Sequence, residues 1–406
     1  MAAPKRWTVT PVPSATMVTY LDHAATAPMR PECTEAMLPF LGQRWGNPSG
    51  GHALARATRQ AVEEAREVVA ESLGGEPREV VLTGGGTEAD NMAVTGLTAA
   101  RGGRPVCSAV EHHAVLEPVL ALGGRVVAVH PDGTVDLEAL EAALDDQVSV
   151  VSVMAVNNEV GTIQPLDRVA ELVRRRAPAA ALHTDAVQAF PWLDVATVAR
   201  PADLVAVSAH KFGGPQGVGA LLVREGTALE PLLRGGGQER ERRSGTHNVA
   251  GIVGMAAAMR ATVAQRAATV ERVRRLRDRL ADGLLSAVPD CTESGSRSTK
   301  VAGTCSLLFE GMESEALLVL LDREGICATA ASSCASGALE PSHVLAAMGV
   351  PRQLAAGSLR LSLGWTTTAA DVDHALRAIP AAVAQLRERS ATGTWAAAPP
   401  APRRTA

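Results

Sequence analysis

The sequence predicts an α/β fold: a mostly parallel sheet with helices on both faces, followed by a smaller α/β domain. Three observations carry this expectation. From Val80 to Thr184 short apolar runs alternate with stretches of helical periodicity, the rhythm of successive strand and helix units. Between Asp203 and Val223 two further apolar runs flank a polar, glycine-rich turn, as buried strands entering and leaving a loop would. Beyond a long helical stretch, apolar segments return at Cys305–Phe309, Ile326–Thr329 and Leu359–Gly364, which read as strands of a second domain.

Taken in order, residues 1–19 are rich in Pro and Thr and are expected to be irregular. Tyr20 to Pro28 reads as a short extended segment ending in a turn, and Gly46 to His52 as a loop. Ala53 to Leu73 carries apolar residues at helical spacing with Glu63, Glu64, Arg66 and Glu67 outward, an amphipathic helix. Val80–Thr83 is a strand, Gly84–Gly86 a turn, and Thr87 opens a helix to about Ala100 with Glu88 and Asp90 in its first turn. Free N–H groups and the dipole make this helix start a ready phosphate site, although it matches neither a Walker nor a GxGxxG pattern.

Strands are expected near Val106 and over Arg125–His130, Val148–Val156 and Ala180–Thr184, with helices from His113, over Asp136–Leu144 and over Pro165–Arg176. In such sheets ligands collect at the carboxyl ends of the strands, where this chain carries His112, Asn157-Asn158-Glu159, and Asp185 with Gln188. Gly235 to Asn248 is too polar to be core and is expected to be a flexible loop reaching across a surface. Val249 to about Val288 is a long helix whose arginines at 272, 274, 275, 277 and 279 read as a solvated face between two domains. Glu313–Arg323 is a further helix. The Ala/Pro-rich end after about Ser390 is expected to be disordered. The domains expected are 20–265, and 266–390 joined by residues 1–19, with a tail over 391–406.

Composition bounds the function. The chain has 406 residues, 46% of them hydrophobic, enough for a large core. A net charge of -4 disfavours direct nucleic-acid binding. No run approaches the roughly 20 apolar residues of a membrane span, and residues 1–19 lack the apolar core of a secretory signal, so the chain is expected to stay in the cytosol. The six cysteines, at 33, 107, 291, 305, 327 and 334, form no CxxC pair, which argues against a zinc ribbon or a disulfide framework.

The chemistry centres on Lys211, the lysine of the turn between the two apolar runs. A lysine at the mouth of a buried turn is placed where desolvation frees its amine to attack a carbonyl and form a Schiff base. Ser208 and His210 offer a hydroxyl and an imidazole to an anion, and the glycines allow close approach of a flat ligand, which together suggest a phosphorylated aldehyde. An ordinary strand-turn-strand with a surface lysine is the alternative on this stretch alone.

The motifs Tyr20-Leu-Asp22, Gly46-Asn-Pro48, Gly85-Gly-Thr-Glu88, Glu111-His112, Val156-Asn-Asn-Glu159, Thr184-Asp185 with Gln188, Ser208-Ala-His-Lys211, Arg243-Ser-Gly-Thr246, Ser333-Cys334, Leu339-Glu-Pro-Ser342 and Leu359-Arg360 occur in one order. In this the chain resembles the cysteine desulfurases (NifS/IscS-like), pyridoxal 5'-phosphate (PLP) enzymes of the class V aminotransferase group, over about residues 18–388. The resemblance implies the aspartate-aminotransferase-like fold, type I, with a large seven-stranded domain. It implies removal of sulfur from L-cysteine, release of alanine, and a persulfide passed to a protein acceptor. Carried over residue by residue, it implies that Lys211 holds PLP covalently, Asp185 keeps its pyridine nitrogen protonated, Gln188 bonds its phenolic oxygen and His112 stacks on its ring and assists proton transfer. Gly86, Thr87, Ser208 and His210 would hold the phosphate, with Thr246 reaching it from the other subunit of a homodimer. Asn158 and Arg360 would bind the substrate carboxylate. Cys334, on an Ala/Ser/Gly loop expected to be flexible, would be the nucleophile.

The cysteine segment departs from the family pattern, which has a glycine before the cysteine and Thr or Ser after it. Cys327 reads as a small hydrophobe in a strand. A selenocysteine lyase or an aminotransferase of the same fold would keep Lys211 and Asp185 without depending on Cys334. A scaffold subunit would be expected to lack the lysine or the aspartate. The acceptor, whether for iron–sulfur clusters, tRNA or DNA thio-modification or a thio-metabolite, is not specified by the sequence.

Overall fold

The structure, a computed structural model, describes residues 18–330 and 342–391. Seven strands form the main sheet, in the spatial order Val80–Thr83, Gly219–Val223, Leu204–Ser208, Ala181–Asp185, Val148–Ser152, Arg104–Ser108 and Arg125–Val127. Every pairing is parallel except those of Gly219–Val223, which runs antiparallel to both its neighbours. The four strands Val148–Ser152, Ala181–Asp185, Leu204–Ser208 and Gly219–Val223 are buried along their whole length, as helices on both faces require. The helix Gly86–Arg101 seals one face with Ala89, Met92, Ala93 and Leu97. Ala53–Leu73 and Leu166–Arg176 seal the other with Val62, Val69, Leu73, Val169 and Val173.

A second, antiparallel sheet takes Ser358–Ser362, Thr304–Phe309 and Cys291–Glu293. Beside it Thr19–Tyr20 pairs in parallel with Ile326–Cys327. The 39-residue helix Val249–Ala287 joins the two cores. Its first half buries Ile252, Met255 and Met259 in the main core. Its second half buries Val273, Leu280, Ala281 and Leu284 against the second sheet.

Three readings of the sequence are corrected. The arginine face of that long helix is not uniformly solvated. Arg274 and Arg275 pair with Glu271 at the surface, but Arg277 is buried and donates to the carbonyls of Val301 and Thr304, while Arg272 donates to those of Thr367 and Trp365. A guanidinium has five donors, so it caps loop carbonyls that would otherwise be left unpaired. Arg66 does not point outward: it is buried in a bidentate pair with Glu239. That pair draws the polar loop Gly235–Asn248 onto its own chain, so Glu239 is core despite its charge.

Boundaries also differ. Arg125–Val127 and Val148–Ser152 are shorter than expected: after Val127 the chain turns back on itself, Val129 bridging Val135, and after Ser152 it runs to Met154 at the cavity described below. The helices Pro31–Gly42, His343–Ala347, Arg352–Ala355 and Ala369–Ala391 and the strand Cys291–Glu293 were not anticipated. The expected tail, apart from Ala391 at the end of a helix, lies outside the described residues.

Candidate active site

The parallel strands deliver their following residues to one cavity of 440 Å³. Of the expected site residues, Gly86, Thr87, His112, Asn158, Asp185, Gln188, Ser208, His210, Lys211 and Arg360 all line it. Thr246 does not; it is exposed, two residues beyond the Ser244 turn that closes its loop. Cys334 lies outside the described residues.

Lys211 ends a short helical turn, Ala209–Lys211, that caps the strand Leu204–Ser208. Its Nζ donates to the carbonyl oxygens of Ala24 and Ala25, at 2.7 and 2.9 Å. Gln188 Nε2 donates to the same Ala24 oxygen at 2.8 Å. The extended segment after Tyr20 is thus the strap that aims the amine.

His112 caps the helix His113–Ala121, its Nδ1 accepting the Ala114 N–H at 3.1 Å. An accepting Nδ1 places the hydrogen of the neutral ring on Nε2. Burial, and then the charge of Lys211, push this imidazole down to about 4, so it is neutral at physiological pH.

Asp185 closes its strand and accepts the Val187 N–H at 2.8 Å. Two more buried acids stand near it. Glu111 accepts from Ser108 Oγ and the Met154 N–H, yet burial pushes it up to about 8. Asp90 lies 3.5 Å from His183 Nε2, and burial, with the charges of Asp185 and Glu111, holds it far above the carboxylate range. Burial also drives His183 down to about 3, so the Asp90–His183 contact is between neutral groups. Asp185 is raised less, to about 6, because the Val187 N–H and Lys211 offset its desolvation. Of the three acids it is the one that carries the charge at neutral pH.

One end of the cavity is built for an anion. Gly85 sits at φ 149, a conformation that favours glycine, and turns the chain into the helix Gly86–Arg101 with its first N–H groups unpaired inside the helix. A Cβ on Gly86 would come within 3.0 Å of Val187 and 3.2 Å of Ser208. Ser208, His210 and Thr26 complete this end, with His210 Nδ1 3.2 Å from Thr26 Oγ1. At the other end Arg360 Nη1 donates to the Asn158 carbonyl and Nη2 to Asp22 Oδ1, both at 3.0 Å.

These groups fit PLP. The chain supplies an amine for its aldehyde, a carboxylate for a protonated ring nitrogen and a helix start for its phosphate. Asn158, on the cavity wall, has a buried Oδ1 with no partner among the described residues, an acceptor of the kind a polar ligand satisfies.

The sequence reading gave no role to Asp22, Asp90, Glu111 or His183. Asp22 and Glu111 stand in motifs without a role, and Asp90 reads from the sequence only as a first-turn acid. Burial distinguishes Asp90, Glu111 and His183, and a helical pattern that places Asp90 beside Ala89 and Ala93 is the available signal; Asp22, only half-buried, is distinguished by its pairing with Arg360. Cys327 is half-buried in its strand, and burial raises its thiol.

The sequence pattern of the Aminotransferase class-V family matches residues 19–375. An "IscS-like cysteine desulfurase" of Mycobacterium tuberculosis is 45% identical over 383 residues, 91% of this chain and 97% of the relative. The solved structure "NIFS-LIKE PROTEIN" superposes with a TM-score of 0.85 at 35% identity, covering 91% of this chain and 100% of that one. "Crystal structure of DndA from streptomyces lividans" does so with a TM-score of 0.71 at 35% identity, over 84% and 99%. Similarity of this extent, over a cavity whose residues suit PLP, makes the chain a member of the class-V aminotransferase family and, within it, a PLP-dependent cysteine desulfurase that takes sulfur from L-cysteine and releases alanine.

Proposed function

We propose that the cavity around Lys211 is the desulfurase site, with the roles that its residues can fill from where they stand. When bound, PLP supplies the electron sink for the reaction. Lys211 Nζ is the amine that carries the cofactor, kept in place by the strap at Ala24 and Ala25. Asp185 holds a proton on the ring nitrogen through its charge. His112, neutral and protonated at Nε2, stacks over the ring and exchanges protons with the substrate. The N–H groups at Gly86 and Thr87, with Ser208 and His210, would hold the phosphate. Gln188 bonds the phenolic oxygen, and Arg360 with Asn158 takes the substrate carboxylate. The observation that carries this reading is the presence of an amine, a charged buried carboxylate, a neutral imidazole and a guanidinium on one cavity.

We infer also that Cys334 is the nucleophile that attacks the substrate sulfur and is left as an enzyme-bound persulfide, and that its outer sulfur passes to a protein acceptor in the cytoplasm. The enzyme acts as a homodimer, in which Thr246 serves the partner's phosphate site. Exposure of Thr246 outside its own cavity supports this, as do the exposed Leu38, Leu41 and Trp45 beside one another in sequence. The large and small domains meet at the long helix near residue 265, where its burial passes from one core to the other.

Alanine variants of the two cysteines test the reading. Cys334→Ala is expected to bind PLP and L-cysteine, seen as a change in the cofactor spectrum, while forming no persulfide and no alanine above background. Cys327→Ala keeps most of its activity. An inactive Cys327→Ala with an active Cys334→Ala would overturn the assignment of the nucleophile.

A further inference from the structure

Arg360 meets the cavity with both of its terminal nitrogens already engaged, one of them by an acid. Its Nη2 donates to Asp22 Oδ1 at 3.0 Å, its Nη1 to the Asn158 carbonyl at 3.0 Å, and its buried Nε has no partner among the described residues. The guanidinium is 5% exposed and Asp22 19%, so the pair is screened weakly by water.

Asp22 is held where it is. Its carbonyl accepts from the Ala25 N–H at 3.1 Å and the Tyr20 hydroxyl at 3.1 Å, and the residue bridges to Ser362 on the strand that carries Arg360. A ligand carboxylate arriving at Arg360 therefore shares the guanidinium with Asp22 rather than replacing it. Glu159, bonded by Ser342 Oγ, also lies within electrostatic reach of Arg360, but burial raises it to about 7, so Asp22 is the acid that engages the guanidinium directly. Among the described residues that line the cavity, no cation is left over for a second negative group on the ligand. His112 and His210 are neutral, and Lys211 is engaged by two carbonyls and, in the reading above, by the cofactor.

We propose that Asp22 is a specificity-determining residue: by half-neutralising Arg360 it confines the site to amino acids with an uncharged side chain and turns away those carrying a second acidic group, such as aspartate or cysteine sulfinate. The proposal rests on the reading that Arg360 is the carboxylate seat. Repulsion between carboxylates that share one buried cation is the physical basis, and such like-charge contacts are a recognised source of discrimination.

The test uses the holoenzyme and two probes that lack the amino group, so that binding is read without turnover: 3-mercaptopropionate, and mercaptosuccinate, which adds one carboxylate to the same skeleton. Dissociation constants are measured by calorimetry at fixed ionic strength. Wild type is expected to bind the monoacid about 10-fold or more tighter than the diacid. Asp22→Asn keeps an oxygen for Arg360 Nη2 while removing the charge, and is expected to shrink that ratio by roughly the same factor, chiefly by tightening the diacid. With amino-acid substrates the same variant gains kcat/KM for L-cysteine sulfinate relative to L-cysteine. A ratio unchanged in Asp22→Asn, or an equal weakening of both probes, overturns the proposal and leaves Asp22 as a positioner of Arg360. A wild type that binds both probes alike overturns it without any variant. Arg360→Gln separates the two layers: loss of both probes supports the carboxylate seat, whereas unchanged binding sinks that reading whatever Asp22 does.

Discussion

Replacing Glu239 with alanine leaves the buried Arg66 guanidinium with only the half-exposed Glu63, on its Nε, as counter-ion. The Glu239 and Arg66 side chains are 2% and 4% exposed and joined by bonds of 2.7 Å to each carboxylate oxygen. Glu239 also accepts the Leu82 N–H at 2.8 Å and faces His247 Nε2 at 2.7 Å, so one carboxylate ties a helix, an edge strand and a loop together. Breaking a buried pair by removing one partner costs about 3–5 kcal/mol. Glu239, Arg240 and Glu241 all hold left-handed conformations, with φ of 51, 56 and 65. Each such residue costs roughly 1–2 kcal/mol, and a freed loop recovers some of that, so the net loss is expected nearer ~2–4 kcal/mol. Against a typical stability of ~5–15 kcal/mol this is a large fraction, readable by urea denaturation. The double variant Arg66→Met/Glu239→Leu removes both charges and is expected to show coupling of at least ~2 kcal/mol in a double-mutant cycle, with the unpaired Leu82 N–H accounting for most of the remaining deficit. The pair also has a pH signature. Its bonds, offsetting burial, hold Glu239 down at about 2 against an ordinary 4.5, so its stabilisation is full above pH 4.5 and is lost as pH falls toward 2. A single variant costing under ~1 kcal/mol, or strictly additive singles, would refute the reasoning.

Two further outcomes follow from the buried titratable groups. Glu111 and Glu159, raised by burial to about 8 and about 7, bind protons more tightly when folded, so cofactor-free protein gains stability as pH falls from 8. His23, His112, His183 and His210, lowered to about 3 or 4, resist protonation when folded, so stability is lost again below 6.5; a Tm that peaks between about 6 and 7 is expected, and Glu111→Gln flattens the alkaline side. Asp185→Asn replaces the charge by a neutral amide of the same size, so cofactor content is expected to survive while kcat falls by roughly 10²–10³, the scale for losing one preorganised electrostatic partner. Full activity in that variant would remove Asp185 from its role.

The strand and helix alternation from Val80 to Asp185 was legible because buried parallel strands are apolar along their whole length and their helices are not. The positions of Lys211, Asp185 and His112 at strand ends followed from the same rhythm. Cofactor and substrate came from motif resemblance, since no periodicity specifies PLP. What stayed hidden were charges placed inside. Arg66 and Arg277 look solvated on a helical wheel, and Glu239 sits in a charged loop; only the partner, 173 positions away for Arg66 and Glu239, reveals them as core. Asp22 and Asp90 were hidden for the same reason, because their neighbours come from distant strands. The helix Pro31–Gly42 was missed because it starts at one proline and contains another, which reads locally as a break.

The most direct test of the account is alanine production from L-cysteine by PLP-reconstituted protein and by its Lys211→Ala variant, with the cofactor spectrum recorded on the same samples. Wild type is expected to be yellow and, with a reductant present, to release alanine and sulfide in equal amounts, while Lys211→Ala is colourless or holds PLP only loosely and makes no alanine above background. A wild type that takes up PLP but leaves L-cysteine intact, or a Lys211→Ala variant that turns over at the wild-type rate, would contradict it.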